Sequence, residues 1–146
     1  MTEAEVAAFV AEPRTVICAT NGRDGRPHLT ALWYFVRDGE VWAWTYAASQ
    51  KVRNLERDPR ATLMWEDGDT YQTLCGVMLR TDVEIVREVD RVEAVGLAVF
   101  MHHSDDDEPS AELLAMCAHQ APKRVALRFI ERSRTSWDHS KLGGIY

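Results

Sequence analysis

The stretch Glu40-Val41-Trp42-Ala43-Trp44-Thr45-Tyr46-Ala47-Ala48-Ser49-Gln50-Lys51 changes period partway along, and that change decides how the chain is read. From Glu40 to Tyr46 the residues alternate. Trp42, Trp44 and Tyr46 fall on one face and Val41, Ala43 and Thr45 on the other, the pattern of a strand with both faces occupied. At Ser49 the alternation stops. Ser49 is an N-cap residue type, Val52 and Leu55 form the buried side of a short helix over 49–58, and Pro59 ends it. A strand that turns into a helix start offers free backbone N–H groups and the positive end of a dipole, which together suit an anion. Lys51 stands in that first turn, where a cation works against the helix. A bound phosphate would remove the conflict. Spacing alone leaves two readings open: a phosphate cradle, or a simple cap at Ser49 with a solvated Lys51.

Working outward, Thr2 and Glu5 have the form of a capping box for a helix that Pro13 stops. Arg14 to Thr20 reads as a strand, Asn21 to Gly25 as a hairpin turn, and Pro27 to Val36 as the next strand, which Arg37-Asp38-Gly39 turns into Glu40. Beyond Pro59, a strand spans Arg60 to Glu66. Tyr71 to Arg87 forms one extended strand or a bent pair, with Gly76 as a candidate bulge. Helical spacing follows from Asp90 (Val92, Val95, Val99), then an acidic loop His102 to Pro109, a helix from Ser110 to about His119, a last strand Lys123 to Trp137, and a tail from Asp138. The expectation is one domain over 1–146, mainly β (α+β): a six-stranded antiparallel barrel with short flanking helices.

Composition narrows the function classes. In 146 residues, 46% are hydrophobic and 27% charged, which excludes intrinsic disorder. Three cysteines (Cys18, Cys75, Cys117) far apart fit neither a disulfide framework nor a zinc knuckle and point to a reducing compartment. The start is acidic with no basic n-region, and the longest apolar run, Ala94 to Met101, is far short of a membrane span. A cytoplasmic protein without a membrane partner is expected. The net charge of -6 argues against nucleic acid as partner. Two positive islands stand out against it: Lys51, Arg53, Arg57 and Arg60 in one, and Lys123, Arg124, Arg128, Arg132 and Arg134 in the other. They suit a small anionic ligand, or are solvated faces.

Four stretches in order, Pro27-His-Leu-Thr-Ala-Leu-Trp-Tyr34, Trp42-Ala-Trp-Thr-Tyr46, Ser49-Gln-Lys51 and Asn54-Leu-Glu-Arg-Asp-Pro-Arg60, resemble the pyridoxamine 5'-phosphate oxidase-like split-barrel superfamily. The resemblance is closest to its flavin- and deazaflavin-dependent oxidoreductase branch. Leu74-Cys-Gly-Val77 with Val83-Glu-Ile-Val86, and the ending Ser136-Trp-Asp-His-Ser-Lys-Leu-Gly-Gly144, extend it over nearly the whole chain. The resemblance implies a homodimeric split barrel with cofactor sites at the subunit interface. It implies that His28, Thr30, Ala31, Leu32 and Trp33 lie along an isoalloxazine or deazaflavin ring. Thr45, Ser49, Gln50 and Lys51 would hold the cofactor phosphate, and Trp137 and His139 would come from the partner. The cofactor so implied is the deazaflavin F420, preferred, or FMN, serving hydride transfer to a small organic substrate; the alternative is a non-catalytic flavin, deazaflavin or haem binding, storage or sensing protein. Two departures count against pyridoxamine phosphate as substrate. Gln50-Lys51 stands where the oxidases commonly carry two basic residues. Trp137-Asp138-His139 replaces their Arg-x-His element, and Trp cannot supply arginine's bidentate phosphate contact.

Among the histidines, His139 is the candidate for a catalytic or substrate role, with a hydrogen-bonded tail anchor as its other reading. His28 is either a half-buried polar residue or a ring contact. His102-His103 and the acidic run after them lack helical ligand spacing, so no metal site is expected. Most of the five tryptophans are expected in the core, with one or two free to stack on a cofactor ring. On charge alone, Arg53, Arg57 and Lys141 are expected to line the exit of an anionic cofactor tail.

Overall fold

In a computed structural model, which describes residues 1–143, the elements run α1 (Glu3–Ala11), β1 (Val16–Asn21), β2 (Pro27–Leu32), β3 (Tyr34–Arg37), β4 (Glu40–Tyr46), α2 (Gln50–Arg57), β5 (Arg60–Asp67), β6 (Cys75–Val86), α3 (Val89–His102), α4 (Ala111–Gln120) and β7 (Arg124–Asp138). Short 3-10 turns follow α4 and β7. Gly144, the last residue of the tail resemblance, lies outside the described residues.

One antiparallel sheet takes the order β2-β1-β5-β6-β7-β4-β3. Its two edge strands are consecutive in the chain: Leu32 ends β2 and Tyr34 begins β3, with only Trp33 between them. Two residues of chain span at most about 7 Å. Six inter-strand spacings of a flat sheet would need about 29 Å. The sheet therefore curls until its edges meet at Trp33, which makes it a split barrel. This also corrects the expected strand count from six to seven. The segment Pro27 to Val36 keeps strand-like composition throughout, but its first half pairs with β1 and its second with β4. Local alternation carries no sign of a change of partner.

The register bears out the other strand expectations and moves the bulge. Between β6 and β7, Arg80 faces Ser133 and Thr81 faces Glu131, so Arg132 is the extra residue. Gly76 is not bulged. It pairs with Trp137, whose indole a Cβ at Gly76 would meet at 2.3 Å, so the glycine is there for close approach.

Alternation places Val16, Cys18, Leu63, Trp65, Val77, Val125 and Leu127 inside the barrel, closed at one end by Val6 and Val10 of α1. The capping box on α1 forms, Thr2 Oγ1 accepting from the Glu5 amide at 3.3 Å and Glu5 Oε2 from the Thr2 amide at 2.6 Å. On the other side of β4, α3 and α4 cover Phe35, Trp42 and Trp44 with Val92, Val95, Val99 and Cys117. Gly96 lets α3 lie against Trp44, since a Cβ there would sit 2.5 Å from the indole.

Candidate functional site

The turn between β4 and α2 is where the structure concentrates unsatisfied polar chemistry. Ser49 occupies the N-cap position of α2, yet its hydroxyl caps nothing and has no partner among the described residues although the atom is buried. Of the two readings the spacing left open, a simple serine cap is thus ruled out. Lys51 is not solvated either. It is 8% exposed, and its Nζ donates to Thr45 Oγ1 at 3.0 Å. Among the described residues no carboxylate lies within ion-pair distance of it. Burial holds the Lys51 ammonium below its ordinary pKa; Cys18 opposes this, and the positive charge of Arg124 adds a lesser push in the same direction as burial. Buried charges are normally paired, so an ammonium with one neutral partner leaves both charge and donor capacity uncompensated.

Two further buried side-chain polar atoms have no hydrogen-bond partner among the described residues. Thr30 Oγ1 lies directly across the β1–β2 ladder from Cys18, whose thiol feels the Lys51 charge. Arg124 Nε, at the start of β7, is the other. The Arg124 guanidinium lies 4.3 Å from the Trp44 ring centroid and 4.0 Å from that of Tyr46, and Arg124 pairs with Tyr46 in the ladder. The stack holds a cation beside the turn at low entropic cost to its side chain. Arg124 is a site residue the motif comparison missed. The positive island at 123–134 was visible in the sequence, but the β4–β7 pairing that brings its first arginine to Ser49 was not.

The floor of the turn is tied to the barrel by Asn54, which is fully buried. Its Nδ2 donates to Thr20 Oγ1 at 3.1 Å, and its Oδ1 accepts from Gln50 Nε2 at 2.9 Å. Gln50, exposed itself, and Asn54 line a concavity of about 290 Å³ with His28, Arg23, Arg26 and Asp24, the last two 3.8 Å apart as an ion pair. Three hydroxyls, an ammonium and a guanidinium, with no acid among them, have the chemistry of an anion cradle for a phosphate or carboxylate.

The residues expected along a cofactor ring divide by face. His28, Thr30 and Leu32 turn inward, while Leu29, Ala31 and Trp33 are exposed. Trp33, 47% exposed, stacks on His103 with ring centroids 4.5 Å apart and planes 5° from parallel. His103 Nε2 is 3.2 Å from the Tyr34 carbonyl, so the ring donates there, and burial and its neighbour His102 lower its pKa. His102 and His103 are thus aromatic neighbours of the β2–β3 crossover.

Trp137 and His139 are not brought to this cradle within one chain. Trp137 lies thirteen positions along β7 from Arg124, roughly 43 Å of strand. His139 Nδ1 donates to the Tyr71 carbonyl at 2.8 Å and its amide to the Leu74 carbonyl at 2.9 Å, so it anchors the tail. Lys141 is likewise distant from Arg53 and Arg57. It holds Glu5 at 2.6 and 2.7 Å, which removes it from the expected exit path.

This barrel, with its cradle where the fourth strand enters a helix, defines a protein class: the chain belongs to the pyridoxamine 5'-phosphate oxidase family, whose pattern matches residues 2–137. Among solved structures, a conserved hypothetical protein from Mycobacterium tuberculosis is 46% identical over 100% of this chain and 90% of its own, with a TM-score of 0.88. A protein described as an F420 reductase shares the fold at TM-score 0.70 and 20% identity, over 92% of this chain and 98% of that one. A haem storage protein from Vibrio cholerae does so at TM-score 0.69 and 16% identity, over 93% of both chains. No curated protein matches.

Proposed function

We propose that this chain is an oxidoreductase that uses the deazaflavin F420, or FMN, to move a hydride to or from a small organic substrate, and that it does not act on pyridoxamine phosphate. The observation that carries this is Lys51: buried, with no carboxylate partner among the described residues, in a turn whose Ser49 hydroxyl, like Thr30 Oγ1 and Arg124 Nε, is buried with no hydrogen-bond partner among them. Both cofactors bring a phosphate group that suits such a cradle. When bound, either supplies a two-electron hydride donor and acceptor. The chain's own residues anchor the phosphate end at Ser49 and Lys51 and lay the ring along the exposed side of β2, where Trp33 presents a stacking surface. Trp137, in place of an arginine, leaves no bidentate grip for a phosphorylated substrate.

A homodimer completes this reading. Register places Ala31, Ile17, Met64 and Met78 in one row across the outer face of the sheet. Within it Met64 is 37% exposed, and beside it Leu29 is 58% exposed. A second copy covering that row is the simplest way to bury it and to supply a distant Trp137 and His139. Three unpaired cysteines support a cytoplasmic setting. Among the described residues no helix is long and apolar enough to cross a membrane.

The distinguishing experiment is reoxidation of the reduced, bound cofactor across a panel of unsaturated and conjugated acceptors. An enzyme accelerates at least one acceptor over free cofactor. Binding without acceleration of any would make the protein a carrier or store instead.

A further inference from the structure

The sequence holds two asparagines, and one of them precedes a glycine: Asn21-Gly22, where β1 turns toward β2. An Asn-Gly pair is chemically labile, because glycine has no side chain to keep its backbone nitrogen away from the neighbouring side-chain carbonyl. Asn54 precedes Leu55 and is fully buried, so it does not share that lability.

The fold requires both members of the labile pair. A Cβ at Gly22 would lie 2.4 Å from the Arg26 carbonyl oxygen, the atom that accepts the Gly22 N–H at 2.8 Å to close the hairpin. Asn21 Nδ2 donates to Asp58 Oδ2 at 2.8 Å, and the Asn21 carbonyl accepts from the Arg57 guanidinium. Asp58 is the C-cap of α2. Thr20, one residue earlier, accepts from Asn54 of the same helix. Two successive residues of β1 therefore grip the helix that carries Lys51. Position 21 needs an amide for this. Arg60 and the Asn21 amide hold the Asp58 carboxyl well below the ordinary carboxylate range, and an ionised acid at 21 has no hydrogen to donate to it.

The same bonds keep the pair from reacting. The Gly22 N–H is engaged by Arg26 and the Asn21 amide by Asp58, and closure of one on the other needs both released. Asn21 itself is exposed, so water reaches it once the turn opens locally.

We infer that Asn21 is a self-modification site whose rate is set by opening of this clamp and whose product frees α2 from the hairpin. On opening, the Gly22 backbone nitrogen attacks Asn21 Cγ. The new C–N bond closes a five-membered succinimide, the Cγ–Nδ2 bond breaks, and ammonia leaves with the proton that Gly22 gives up. Water then opens the ring to aspartate or to an isoaspartyl linkage, with no change of oxidation state. A carboxylate now stands where a donor stood, facing a carboxylate of its own sign at Asp58. The chemistry needs only water and is independent of the proposed redox function.

The test follows the tryptic peptide of residues 15–23 by tandem mass spectrometry while the full chain is held at pH 8.5. That peptide contains Asn21 and neither aspartate nor glutamine, so the amide-to-acid mass change reads this residue alone. Wild type, Asp58→Ala, Gly96→Ala and wild type unfolded in guanidinium chloride are compared. Conversion at least fivefold slower in native wild type than in the unfolded chain, at least fivefold faster in Asp58→Ala than in wild type, and within twofold of wild type in Gly96→Ala establishes the clamp as the gate. Gly96→Ala separates it from a general loss of stability. Native conversion at the unfolded rate, no conversion in the unfolded chain, or Asp58→Ala no faster than Gly96→Ala overturns it. Hydrogen exchange over residues 53–58 reads the consequence. Asn21→Asp should exchange there at least fivefold faster than wild type, and unchanged exchange would refute the release of α2.

Discussion

Replacing Lys51 with methionine should make the ligand-free protein more stable, although it deletes a hydrogen bond. The side chain is 8% exposed and has Thr45 Oγ1 as its one hydrogen-bond partner among the described residues. An ion taken out of water without a counter-charge costs several kcal/mol after relaxation. Methionine keeps nearly the same length and apolar stem. Against that gain stands the Thr45 hydroxyl, left without its donor, a loss of about 1 kcal/mol. The net expectation is a stabilisation of about 2 kcal/mol, which for a chain of this size raises Tm by about 4–8 °C. The sign is tied to pH. Burial lowers the folded-state pKa of Lys51, so the penalty is fully present below that lowered value, where both states are protonated. It is relieved as pH rises from the lowered folded value toward the ordinary lysine value of 10.5, where the unfolded chain holds the extra proton. Urea unfolding of both proteins at pH 7, followed across alkaline pH, measures this. A variant less stable than wild type would show that Lys51 has a compensating charge in the folded chain, and the argument for an anion cradle would fail.

Other expectations follow from particular contacts. Gly96→Ala drives a methyl to within 2.5 Å of the Trp44 indole; overpacking should cost about 1–3 kcal/mol in chemical denaturation despite alanine's better helix propensity. Cys18, whose thiol burial pushes up to about 12, should resist a thiol reagent at pH 8 in the native state, as should buried Cys117, while the partly exposed Cys75 reacts first. The Glu5 carboxylate, lowered to about 2 by its hydrogen bonds to Lys141 and the Thr2 amide, holds the tail on α1. That link is intact above the unfolded carboxylate value of 4.5 and is lost as pH falls from there toward 2. Hydrogen exchange at the start of α1 should accelerate through that window, and Lys141→Ala should show the fast rate at neutral pH.

The sequence made the barrel readable because alternation and turn chemistry are local. Trp42, Trp44 and Tyr46 against Val41, Ala43 and Thr45 mark a strand buried on both faces, and the Asn21 to Gly25 turn closes the β1–β2 hairpin as expected. What stayed hidden depends on pairing across the sheet. Nothing in Leu32-Trp33-Tyr34 shows the change of partner that produces the seventh strand. Likewise a bulge at Arg132 cannot be told from a glycine at position 76 until the register of both strands is known. The cradle divides the same way. Lys51 was conspicuous as a cation at the wrong end of a helix, while the burial of its ammonium, the idle Ser49 hydroxyl and the approach of Arg124 are tertiary facts. Spacing also grouped Arg53, Arg57 and Lys141 by charge, and the fold separated them because β7 carries the tail to the far end of the barrel.

The most direct test of the central claim is a parallel binding titration of the purified, ligand-free protein with F420 and with FMN, repeated on Lys51→Met. The account predicts tight binding of one of the two, weakened at least tenfold in the variant, about 1.4 kcal/mol. Binding of neither, or binding that the variant leaves unchanged, would contradict it.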